Sequence, residues 1–125
     1  MWLRKAEKDL KWAEAMLLER DLDYSTFHSQ QAAEKSLKAV ITALKIQPPK
    51  THDIEKLLNI LDKNNVDTSL LEKERIGELT KYAVEARYPD FEEEPSEEEA
   101  VEALELAGKT VDWAREKLRE LEVEC

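Results

Sequence analysis

Few residues in this chain are equipped for chemistry, and most of them fall in or near one segment, Thr26–Val40, which reads TFHSQQAAEKSLKAV. Folded at a helical period, it places Phe27, Gln30, Glu34, Leu37 and Ile41 on one stripe, with Gln31 and Lys38 beside them. A carboxylate on an apolar face costs several kcal/mol unless a cation or donor compensates it, so Glu34 requires a partner. Lys38 lies one turn onward at i+4, and Arg87, placed just before Pro89, offers a planar fork suited to a carboxylate or a phosphate. Two roles stand open for the group. It is either a satisfied buried network that fixes helix register, or a polar pocket or dimer seam. Glu34 and Arg87 are expected to lie close together, directly paired or bridged by Lys38, Tyr88 or a water.

Other chemistries find little support. The histidines are His28 and His52 alone, and neither a His-Glu-x-x-His nor a paired Glu-x-x-His is present, so no metal centre and no cofactor is expected. A Ser nucleophile would need a Gly-x-Ser-x-Gly elbow, which the sequence lacks. Gly77 and Gly108 are the only glycines, too few for a phosphate-cradling loop. Cys125, the single cysteine, cannot form an internal disulfide. The run EEEPSEEE (92–99) reads as a solvated loop and a helix N-terminus, or as an acidic patch for a basic partner.

The elements that must position these residues are helical. Leu3, Ala6, Leu10, Ala13 and Leu17 alternate spacings of three and four and predict a helix over Trp2–Arg20. A second helix is predicted over Tyr24–Lys45, capped by Asp23 or Ser25 and stopped by Pro48-Pro49. Thr51 is expected to cap a short third helix, His52–Lys63. Ser69-Leu70-Leu71-Glu72 reads as a capping box opening a fourth, which reaches about Ala86. Residues 87–95 hold two prolines and read as a loop. Ser96-Glu97-Glu98-Glu99 reads as a second capping box, opening a fifth helix over Glu97–Val123. The expected fold is all-α: one domain over residues 1–125, an antiparallel bundle of four long helices plus one short helix.

Charge bounds the partners. The chain has 125 residues and a net charge of −10, of which residues 1–56 contribute +1 and residues 57–125 contribute −11. Such a field argues against broad nucleic-acid binding. No apolar run approaches a membrane span and charges interrupt every turn of the N-terminus, so a cytoplasmic location is expected.

Four stretches, FHSQQAAEKSLKAV (27–40), Pro48-Pro49, THDIEKLL (51–58) and ARYPD (86–90), followed by a final helix, together resemble the HEPN family over roughly residues 1–122. The resemblance implies an all-α bundle that commonly dimerises and is often encoded beside a minimal nucleotidyltransferase as a toxin–antitoxin pair. Many members are metal-independent endoribonucleases, while others are described as nucleotide-binding or non-catalytic partners. The ribonuclease members carry an Arg followed, after four to six residues, by a His. Here Arg87 meets Glu92, Glu93 and Glu94 at those positions, and Arg20 precedes His28 by seven intervening residues. The expectation is a dimeric interaction or nucleotide-binding module lacking that signature. Its polar cluster would comprise Gln30, Gln31, Glu34, Lys38, His52, Asp53, Arg87 and Tyr88. The alternative is a divergent ribonuclease using His28 or His52 with Arg87.

Overall fold

A computed structural model of the chain describes residues 1–83 and 94–124. The helices are α1 (Trp2–Leu18), α2 (Leu22–Ala43), α3 (Ile54–Lys63), α4 (Ser69–Lys73), a 3₁₀ helix (Ile76–Tyr82) and α5 (Glu97–Glu124). No strand occurs among the described residues. The fold is an all-α bundle whose frame is α1, α2 and α5. Ser25 donates to the Ala13 carbonyl, His28 meets Asp9, and Lys38 reaches Trp2, so α2 runs antiparallel to α1. Arg20 pairs with Glu97 and Arg115 with Glu7, so α5 also runs antiparallel to α1.

α2 lies in the middle of this frame. Ala32, Ala33, Leu37, Val40 and Ile41 are fully buried. One face meets Ala6, Ala107 and Val111 from α1 and α5. The other joins Ile54, Leu57, Leu61, Leu71, Ile76 and Leu79. Alanines line the first contact, which lets the three long helices approach closely.

Local signals set the helix ends, although not always through the expected residue. Asp21, not Asp23 or Ser25, caps α2 by accepting from the Tyr24 N–H, which leaves Ser25 to tie α2 to α1. Asp53, not Thr51, caps α3 through the Glu55 N–H, while Thr51 Oγ1 accepts from Asp53 N–H. The Ser96 box forms as read: Ser96 Oγ accepts from Glu99 N–H and Glu99 accepts from Ser96 N–H. The Ser69 box does not. Ser69 is already helical, Thr68 stands at the cap, and Thr68 Oγ1 donates to Glu72 Oε2 at 2.5 Å.

The expected fourth helix is divided. Arg75 takes a left-handed conformation (φ 61°), ending α4 after five residues and opening the 3₁₀ helix. The reason lies in spacing. Leu71 and Ile76 are five apart and cannot share a face of one straight α-helix. Ile76, Leu79 and Tyr82 recur every third residue, the 3₁₀ period, and all three are buried. The break resets the phase so that both sets point inward.

Candidate functional site

Glu34 sits mid-α2 with 4% of its side chain exposed. Its neighbours supply the donors the sequence demanded. Lys38 Nζ is 2.8 Å from Oε2, and His52 Nδ1 is 2.8 Å from Oε1. Gln30 Nε2 donates to Oε1 at 3.1 Å and also to the His52 carbonyl at 3.1 Å. Gln31 Nε2 donates to Gln30 Oε1 at 2.7 Å and lies 3.4 Å from Glu34 Oε1. The Lys38 side chain is 8% exposed, and its ammonium also stands 5.4 Å from the centre of the Trp2 ring, a cation–π contact from α1.

The electrostatics follow from this arrangement. Burial pushes the Glu34 carboxyl upward, but the hydrogen bonds from Lys38, His52 and Gln30 outweigh it and hold the group below the usual carboxylate range. Glu34 is therefore ionised near neutrality. A carboxylate only accepts, so His52 Nδ1 carries the donated proton, which leaves Nε2 as the acceptor of a neutral ring. The His52 side chain is 64% exposed, which puts a carboxylate-oriented imidazole at the edge of a buried network.

Five of the eight expected residues, Gln30, Gln31, Glu34, Lys38 and His52, thus form one hydrogen-bonded group. Asp53 does not join it, because its carboxylate is used on the α3 N-terminus. Arg87 and Tyr88, and with them the expected Glu34–Arg87 proximity, lie outside the described residues. Lys38 supplies the cation that Glu34 needed.

A second cluster escaped the sequence reading. Asp9, buried on α1, accepts from His28 Nδ1 at 2.9 Å and from Lys35 Nζ at 2.6 Å. Phe27 meets the His28 ring edge-on at 5.2 Å, and Trp12, half exposed, lies 6.4 Å from it. The available signal was Asp9 itself, an acid set between Ala6 and Ala13 on the α1 seam. Among the described residues no group of His, Cys, Asp and Glu could hold a metal ion, and no helix is long and apolar enough to cross a membrane.

The bundle has counterparts in known proteins. The crystal structure of TT1696 from Thermus thermophilus is similar with a TM-score of 0.76 and 34% identity, over 93% of this chain and 94% of that one. ST0689, an archaeal HEPN homologue, is similar with a TM-score of 0.72 and 27% identity, over 94% of each chain. No curated protein matches the chain. The HEPN domain model matches residues 1–118, which take in both polar clusters and all of the helices except the end of α5. The chain belongs to the HEPN domain family.

Proposed function

We propose that this HEPN domain works by binding and not by cleavage: a homodimer that partners a minimal nucleotidyltransferase in a toxin–antitoxin-type pair and offers the edge of the Glu34 group to a nucleotide. The observation that carries the reading is the state of Glu34. Its carboxylate is already satisfied by Lys38, His52, Gln30 and Gln31, a self-contained lock between α2 and the start of α3. The missing Arg–His spacing points the same way. Co-expression with a small nucleotidyltransferase encoded beside it should give a stable complex on gel filtration, and light scattering of the chain alone should give twice 14.5 kDa. A monomer that neither retains that protein nor shifts its melting with ATP or GTP would refute the reading.

One observation favours the ribonuclease alternative. Glu34 accepts from His52 Nδ1 and leaves Nε2 without that partner on a largely exposed side chain, the arrangement of a general acid–base imidazole. Incubation with unstructured RNA in EDTA separates the two readings. Cleavage lost on His52→Ala or Arg87→Ala would establish the enzyme, and intact RNA at high protein concentration would remove it.

A further inference from the structure

α1 and α5 border a groove of about 750 Å³ that neither polar cluster reaches. Leu10, Leu104 and Gly108 line it, and the α1 side adds Arg4, Lys8 and Lys11 along with Glu7 and Glu14. At one end Arg115 crosses from α5 to Glu7, with Nε and Nη2 at 2.9 and 2.8 Å from one carboxylate oxygen.

Two independent features single this groove out. The first is charge. Arg4, Lys8 and Lys11 are exposed at i, i+4 and i+7, and no carboxylate of the described residues pairs with them, in a chain whose net charge is −10. The groove's acids are Glu7, held by Arg115, and Glu14, so its lining is net basic. The second is Gly108, in the middle of α5. Glycine is among the most costly residues inside a helix, and this one has no positive φ to justify it. Nothing lies within 4 Å of where its Cβ would stand. No neighbour in this chain needs the side chain to be absent, so the α5 side of the groove is open at Gly108.

We propose that the α1–α5 groove docks an acidic amphipathic helix of another protein. Arg4 to Lys11 spans about 10 Å of helix axis, too spread for one compact anion but in step with carboxylates at the same spacing on a facing helix. Leu10 and Leu104 take that helix's apolar side, and Gly108 admits its backbone. A second copy of the chain fits less well. An isologous contact sets a patch against itself, and this one carries Arg4, Lys8, Lys11 and Arg115 against Glu7 and Glu14. The proposal is independent of whether the natural partner is a nucleotidyltransferase.

The test uses a fluorescein-labelled designed amphipathic helix with Leu on one face and Glu on the other, its Lys-for-Glu counterpart, and the free dye. Fluorescence anisotropy should show the Glu peptide binding the full chain, weakening as salt rises, with no binding of the Lys peptide or the dye. The R4E/K8E/K11E variant and Gly108→Leu should each weaken binding by about tenfold or more, with melting temperatures no lower than the parent's. Absence of Glu-peptide binding, equal binding of the Lys peptide or the dye, or unchanged affinity in both variants would overturn the proposal. So would light scattering in which either variant dissociates a homodimer, since the groove would then be the self-interface.

Discussion

Lys38 Nζ stands 2.8 Å from Glu34 Oε2, one turn along the same helix, with both side chains more than nine-tenths shielded from water. Most i,i+4 pairs are exposed and contribute a few tenths of a kcal/mol. This one lies between α1 and the start of α3, where Trp2 and His52 close over it. Removing one member strands a buried charge. Lys38→Ala should therefore destabilise the fold by about 3 kcal/mol. Replacing both, as Glu34→Gln with Lys38→Met, should cost clearly less than the single change. Urea midpoints at constant slope measure both, and a loss below about 1 kcal/mol for Lys38→Ala would show that the pair is not desolvated as described.

The pH dependence follows from the depressed Glu34 value. A group whose folded pKa is lowered contributes stability that is complete above its ordinary value, here 4.5, and is lost as pH falls through the lower folded value. Asp67 and Glu74 are also held low, by Ser69 and Lys109 respectively, so the parent should lose stability with acid from several sites. The difference isolates Glu34. Melting curves of the parent and Glu34→Gln should converge below pH 4.5, and parallel curves would assign the acid loss elsewhere.

Three helices end alike. Arg20, Lys45 and Asn65 take left-handed conformations just beyond α1, α2 and α3, and the next N–H in each case returns to the carbonyl five residues back. Glycine adopts this conformation without strain. Lys45, with φ 68° and an exposed side chain, is the clean test. Lys45→Gly should stabilise by about 0.5–1 kcal/mol after the unfolded chain's added entropy. Destabilisation would mean that the lysine stem contributes packing that outweighs the backbone relief.

Asp9 holds α1 to α2 through two residues that are seven apart. Asp9→Asn keeps the shape but loses the charge that His28 and Lys35 address, and should cost about 1.5–3 kcal/mol. Denaturant titration of Asp9→Asn alone and combined with Lys35→Met checks it. Strictly additive losses would show that the two residues are not coupled.

What the sequence determined by itself is what short-range spacing encodes. Apolar residues at threes and fours placed α1, α2 and α5. Ser96 and Glu99 stand three apart and close their own box. Glu34 and Lys38 stand four apart on one helix, so the demand for a cation and its answer were both readable along the chain. Tertiary structure decided what depends on how helices meet. Which of Asp21, Asp23 and Ser25 caps α2 rests on Ser25 having a carbonyl to bond on α1. The Asp9–His28–Lys35 group exists only because antiparallel register sets α1 against α2 at that height. The division of the fourth helix at Arg75 is a compromise between continuous helical propensity and burial of Leu71 together with Ile76, Leu79 and Tyr82. Propensity acts within a turn, whereas burial and ion pairing are settled between segments far apart in sequence, and there the larger desolvation energies prevail.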